Sequence, residues 1–207
     1  MTDDSGAVAT EIDSGPPLEG GDDGARPMRA DARRNNERLI AAARKVFAEQ
    51  GGGASMEAIA KEAGVGAGTL YRHFPMRIDL VEAVYRDEVD KLTSDAEKFV
   101  AEEDPWEAMV SWLQAFVRYT SSKRTFLSEL HEAFEKNPEL RVRSRERIES
   151  AIDTVLIPAQ EAGVVRTDLD GSDLMQLISA MCMSATLTPE QSSRLLLVIQ
   201  DGLRPPQ

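Results

Sequence analysis

Apolar side chains along this chain recur at helical spacing and almost nowhere at strand spacing. No segment alternates with a period of two over a useful length, and β-branched clusters such as Val164-Val165 are too short to seed a sheet. The pattern predicts an all-α protein of about nine helices. Four lie in the first half, over residues 32–50, 55–63, 66–73 and 76–102, and five more follow.

Residues with end-forming chemistry mark the boundaries. Asp104-Pro105-Trp106-Glu107 supplies an N-cap, a proline at the first helical position and the reciprocal carboxylate of a capping box. Thr188-Pro189-Glu190-Gln191 repeats the arrangement, and Asn137-Pro138-Glu139 is a weaker version. Gly51, Gly64, Gly163 and Gly202 each follow a periodic run and read as helix stops.

The helix predicted over residues 105–121 carries two apolar stripes, Trp106, Val110, Leu113 and Val117, and Met109, Trp112, Phe116 and Tyr119. So wide an apolar surface belongs to a helix covered on several sides. For the second stripe, core packing and the lining of a cavity are both open. Nearer the carboxy end, Leu174, Leu177, Ile178, Met181 and Ala185 recur at helical spacing, and Leu195, Leu196, Leu197, Val198 and Ile199 form an unbroken run. That over-supplies one core. Burial against a second copy in a two-fold four-helix contact is the expectation, and closure of a monomeric core is the alternative.

Residues 66–74 read Gly-Ala-Gly-Thr-Leu-Tyr-Arg-His-Phe and follow Ile59-Ala60-Lys61-Glu62-Ala63-Gly64-Val65. Two short helices about a turn at Gly64, which adopts left-handed backbone without a Cβ clash, make a helix-turn-helix. Ile59, Ala60 and Ala63 would pack the first helix. Val65 and Leu70 would seat the second, leaving Thr69, Tyr71, Arg72 and His73 toward solvent or phosphate.

A net charge of −12 over 207 residues argues at first against a nucleic-acid partner. Its distribution reverses that reading. Residues 1–25 hold seven acidic residues and no Lys or Arg; residues 26–77 hold ten basic and five acidic, net +5; residues 78–207 hold fourteen basic and twenty-four acidic, net −10. A positive head on a negative body would orient the molecule as it approaches phosphates. Residues 1–30, acidic and rich in Gly, Asp and Pro, are expected to be a disordered tail and arm, neither signal peptide nor membrane span. The expected division is that tail, a helix-turn-helix head over 31–77, and a larger helical body over 78–207. A single cysteine excludes an internal disulfide framework and fits a reducing cytoplasm.

From Asn36, the string Glu37-Arg38-Leu39-Ile40-Ala41-Ala42-Ala43 through Phe47, Gly51, Ser55, Ile59-Ala60, Ala63-Gly64-Val65, Gly68-Thr69-Leu70-Tyr71, His73-Phe74, Arg77 and Leu80 resembles the tetracycline-repressor (TetR) family. The resemblance implies a three-helix DNA-binding head, a larger helical ligand-binding domain, and a homodimer that leaves its operator when a small molecule binds. Following the family pattern, Tyr71 and His73 would donate to phosphates, Arg77 would pair with backbone charge, and Ser55 would cap a helix whose amides face a phosphate. Thr69 and Ala67 would face the groove.

The candidate DNA-binding set is therefore Arg33, Arg34, Ser55, Gly66, Ala67, Thr69, Leu70, Tyr71, Arg72, His73 and Arg77. Because Gly66, Ala67 and Gly68 offer little direct base readout, Arg26, Arg29, Arg33 and Arg34 are candidates for an arm in a narrow minor groove; a solvated tail and helix end is the alternative. Met76 and Ile78 depart from the family pattern at the start of the fourth helix, and Gly52 and Gly53 suggest a loose corner after the first. Candidate ligand-binding residues are Met109, Trp112, Phe116, Tyr119, Phe126, His131, Met175 and Cys182, around a largely hydrophobic effector. Candidate dimer contacts are Leu174, Leu177, Ile178, Met181, Leu195, Leu196, Val198 and Ile199.

Blander readings hold elsewhere. Cys182 reads as a small buried hydrophobe, and His131 as either a polar handle in the cavity or an ordinary core or surface residue. Arg141, Arg143, Arg145 and Arg147, interleaved with Glu146 and Glu149, read as a solvated surface rather than a second nucleic-acid site. Gly64-Val65-Gly66-Ala67-Gly68 is no phosphate loop, since no Lys-Ser or Lys-Thr follows and no strand precedes it. Without a catalytic triad order, acid pair or metal cluster, an enzyme is not expected, and neither is a metal or cofactor. The partners expected are operator DNA, a small-molecule effector and a second copy, with no membrane. The function expected is a ligand-responsive repressor; an activator, or a sensor acting through a protein partner, is the alternative.

Overall fold

The computed structural model describes residues 25–184 and 186–206, with side chains from Asp31 onward. Expectations for residues 1–24, for Ala185, and for the side chains of Arg26 and Arg29 lie outside the described residues. In order come α1 (Ala25–Gln50), a 3-10 turn (Gly51–Gly53), α2 (Met56–Glu62), α3 (Ala67–His73), α4 (Arg77–Glu102) and α5 (Pro105–Arg124). They are followed by α6 (Leu127–Lys136), α7 (Pro138–Glu161), α8 (Gly171–Cys182) and α9 (Pro189–Leu203), with no strand among the described residues. No helix among them is long and apolar enough to cross a membrane.

The chain divides within α1 into two units, residues 1–34 and 35–207. In the first unit the backbone is helical from Ala25, and Arg34 pairs with Asp31 one turn earlier. Residues 25–30, expected in the disordered tail, are therefore helical. Arg33 and Arg34, expected in an arm for a narrow minor groove, stand on this helical stretch.

In the second unit, end chemistry sets the helices. Asp104, Asn137 and Thr188 accept hydrogen bonds from the amides of Glu107, Leu140 and Gln191, and Pro105, Pro138 and Pro189 follow at positions where no amide is needed. Asp170 caps α8 through the amides of Ser172 and Asp173, a start the chain pattern did not disclose. Gly51, Gly64 and Gly163 have φ of +63°, +66° and +70°, so a Cβ at any of the three would strain the turn. Gly202, expected as a stop, is helical within α9; the helix ends a residue later, before Pro205-Pro206.

Helix α4 packs against α5, α6 and α7, and α8 closes over α5 and α7. Trp112 is fully buried on α5, and its indole Nε1 donates to the carbonyl of Leu92 on α4 at 3.1 Å. That bond spares a buried donor the cost of going unpaired. Stacked rings continue along α5, from Trp112 to Phe116 at 5.2 Å and from Phe116 to Tyr119 at 5.9 Å. Phe47 of α1 meets Phe126, just before α6, at 5.4 Å. This ring pair ties the helix-turn-helix half to the larger half across the 3-10 turn.

Candidate nucleic-acid interface and effector cavity

Ser55, in extended backbone, caps α2 by accepting from the amide of Ala58 at 3.0 Å. Ala63 ends α2, Gly64 turns the chain, and Gly66 opens α3. Leu70 is fully buried beneath α3, and Phe74 is buried just beyond it. Leu70, placed among the candidate DNA contacts, is thus an anchor that holds α3 on the core. Ala67, Tyr71 and Arg72 are exposed, while Thr69 and His73 are half-buried. Tyr71 OH lies 3.3 Å from Glu57, and Arg72 Nε donates to the carbonyl of Gly68 at 3.3 Å, contacts weak enough to yield to a phosphate. The structure therefore gathers Ser55, Gly66, Ala67, Thr69, Tyr71, Arg72 and His73 onto α3 and the cap of α2.

Arg77 is engaged elsewhere. From the first turn of α4 its guanidinium donates to the carbonyls of Ala54 and Gly52, the latter at 2.9 Å, and to Glu129 Oε1 of α6 at 3.1 Å. It also lies 5.2 Å from the centroid of the Phe47 ring. With its donors aimed inward, Arg77 is a clamp between head and body rather than a free phosphate contact. The same clamp corrects the expectation of a loose corner: a Cβ on Gly52 would come within 2.8 Å of the Glu129 carboxylate, so glycine is what allows this close approach. Met76 supplies no side-chain cap, but Asp79 accepts from its amide at 2.9 Å, which restores half of the capping box.

Burial works to raise the pKa of Glu129, but hydrogen bonds from Ser128, its own backbone and Arg77 outweigh it and hold the carboxyl below its usual 4.5. A lowered folded-state value means that its stabilisation is present above the unfolded value and is lost as pH falls through the folded one. In the range below pH 4.5, urea unfolding is expected to show a steeper loss of stability for the parent than for Glu129→Gln. Equal slopes would remove Glu129 from that role.

A cavity of about 410 Å³ opens between α4, α5, α6, α7 and α8. Of the residues expected to bind a ligand, Phe116, Tyr119 and Met175 line it. Met109, Trp112, Phe126 and Cys182 do not; each is buried in the surrounding core. His131 projects from the outer face of α6 and is exposed. Tyr85, Thr120, Lys123, Phe134, Arg141 and Arg145 line the cavity and were not anticipated. Its walls are more apolar than polar, with Lys123, Arg141 and Arg145 among them and no carboxylate.

The missing residues had a signal. Lys123 continues the stripe Trp112, Phe116, Tyr119 by another turn, and Arg141, Arg145 and Ile148 share one face of α7 at i, i+4 and i+7. Arg143 and Arg147 point away from it, to Glu139 at 2.8 Å and to Asp90. All four arginines are exposed, as expected of a solvated surface, and Arg141 and Arg145 also stand at the rim of the cavity. Tyr119 OH donates to Tyr85 OH at 3.4 Å, and burial, reinforced by Tyr85, pushes the Tyr119 hydroxyl well above its usual pKa.

The expected dimer residues divide in the same way. Leu174 and Ile178 are buried within the subunit and have almost no surface left to lose to a partner, while Leu196, also buried, keeps 8%. Met181 and Ile199 are half-buried, and Leu177, Leu195 and Val198 are exposed, as is Leu197. At 100° per residue, an unbroken apolar run must wrap around its helix, so α9 turns Leu196 inward with Ile199 half-buried against the core, and turns Leu195, Leu197 and Val198 out.

Comparison with known proteins fits this architecture. Residues 39–84 match the model for bacterial regulatory proteins of the tetR family, and residues 104–205 match the C-terminal domain of SbtR-like transcriptional regulators. The structure superposes on a TetR transcriptional regulator from Streptomyces coelicolor with a TM-score of 0.75 and 36% identity, over 83% of this chain and 99% of that one. A TetR regulatory protein from Mycobacterium vanbaalenii gives a TM-score of 0.67 at 35% identity, over 86% and 99%. An HTH-type transcriptional regulator of Staphylococcus aureus is 47% identical over 64 residues, so the chain spans only 35% of that protein's length. These relatives are regulators of transcription and not enzymes. This chain belongs to the TetR family of helix-turn-helix transcriptional regulators.

Proposed function

We propose that the protein is a homodimeric repressor that grips an inverted-repeat operator through α3 and is released when a small molecule enters the cavity. The observation that carries this reading is that one short helix, α6, touches both places. Phe134 forms part of the cavity wall, and Glu129, five residues earlier, grips Arg77 and faces Gly52 ahead of α2. A ligand that displaces Phe134 must move or strain the helix that positions the head, which is the differential contact between two states that coupling requires.

Two subunits related by a two-fold axis would set their α3 helices about 34–36 Å apart, one turn of B-DNA. Exposed Leu177, Leu195, Leu197 and Val198 supply the apolar face for that pairing. Arg33 and Arg34, on the helical amino-terminal unit, are read as phosphate contacts. Arg72 supplies a further one, and Arg72→Ala is expected to weaken binding about equally across DNA sequences and to lower the slope of log affinity against log salt by about one unit. Fluorescence anisotropy over a salt series measures both; a change confined to one sequence would assign Arg72 to base readout instead. The release step is tested on the protein's own promoter fragment, where effector is expected to dissociate the parent complex and to leave the Glu129→Gln complex largely intact.

A further inference from the structure

The walls of the cavity carry positive charge with little to balance it. Lys123 stands half-buried on α5, with its ammonium 5.7 Å from the centroid of Tyr85 and 5.8 Å from that of Phe134. Among the described residues no carboxylate forms an ion pair with Lys123 or with Arg141, the neighbouring cation on α7. Arg145, one turn further along α7, is held by Glu149 at 2.9 Å. Glu88 of α4, half-buried, faces a different depression and is engaged by Arg44. Burial first, and then the charge on Arg141, push the Lys123 ammonium below its usual pKa. Two ring faces soften that cost without removing it.

A ligand that brought a negative group to this spot would relieve the desolvation and the repulsion together, whereas a neutral ligand would leave both in place. Among the other walls Phe116, Ile148 and Met175 are apolar, while Thr120, Gln176 and Ser179 are polar and uncharged. We propose that the cavity takes an amphipathic organic acid, its anionic head held by Lys123 and Arg141 and its apolar body laid against Phe116, Ile148 and Met175. A volume of about 410 Å³ suits a molecule of moderate size, within the range of about 300–1,000 Å³ typical of ligand pockets. This assignment rests on the reading that the cavity is the effector site, and it names the class of effector.

The test is calorimetric titration of the full-length protein, without DNA, using two matched pairs of probes: decanoate against decanol, and phenylbutyrate against phenylbutanol. Each acid is expected to bind at least about tenfold more tightly than its alcohol, the scale of a charge-assisted contact. Lys123→Met is expected to erase the preference while leaving alcohol binding unchanged or tighter, and Lys123→Arg is expected to keep it. Arg141→Gln, at an exposed rim position, is expected to reduce the preference without disturbing the fold. Equal binding of acid and alcohol, failure of both acids to bind, or a preference that survives in the Lys123→Met, Arg141→Gln double variant would overturn the proposal. Operator release is read separately by anisotropy. Acids that bind with the stated preference but leave the DNA complex intact would uphold the anion site and sink the release mechanism, and release by the alcohols alone would do the reverse.

Discussion

Arg77→Ala is expected to lower the unfolding free energy by about 2–4 kcal/mol, because it strips hydrogen bonds from two backbone carbonyls and leaves Glu129 a partly buried carboxylate without its cation. The same change removes the guanidinium from the Phe47 ring, so packing at the joint loosens as well. Its functional signature is more telling than its stability cost. With the clamp gone, α6 no longer fixes the turn ahead of α2, and effector should bind with nearly unchanged affinity while its ability to release DNA falls. Arg77→Lys, a single-point cation that cannot reach three acceptors at once, should give an intermediate result. Chemical unfolding together with anisotropy on the same samples measures both effects. A variant that loses DNA affinity in step with effector affinity, and keeps full release, would mean that Arg77 matters only for folding.

The second large effect concerns association. Leu197→Glu with Val198→Glu places two carboxylates on the exposed apolar face of α9, at positions 59% and 65% exposed in the single subunit. Neither change should trouble the monomer's core, since both side chains already face outward. Buried against an identical face, however, four unpaired carboxylates would be strongly unfavourable. Light scattering is expected to report 22.7 kDa for the variant and twice that for the parent. Because each head then binds alone, operator affinity should fall by about 10²-fold or more while circular dichroism stays helical. If the variant remains a dimer, the pairing face lies elsewhere, and exposed Val142 and Ile157 on α7 become the next positions to test.

Local chemistry was legible in the chain, and non-local chemistry was not. A cap such as Asp104 or Thr188 acts on an amide three residues away, so sequence alone places it. Gly64 likewise declares its turn because its φ of +66° is a property of the residue itself. Arg77 reads locally as the start of a helix, and only the fold reveals partners 23 to 52 residues distant that make it a clamp. In the sequence Lys123 looks like the end of an apolar stripe, whereas its stem and ring neighbours keep it half-buried. Leu174 and Ile178 erred in the opposite direction. Periodicity shows that they share a face but not which of two possible neighbours covers it, and here the subunit's own core does.

Two copies of this chain are proposed to hold one inverted repeat through paired α3 helices under the control of the cavity. Light scattering of the complex with a single duplex bearing that repeat tests it most directly, in rising salt and with and without an amphipathic acid. Two chains per duplex, a steep loss of binding with salt, and free duplex once the acid is added are expected. One chain per duplex, or a complex indifferent to salt and acid alike, would contradict it.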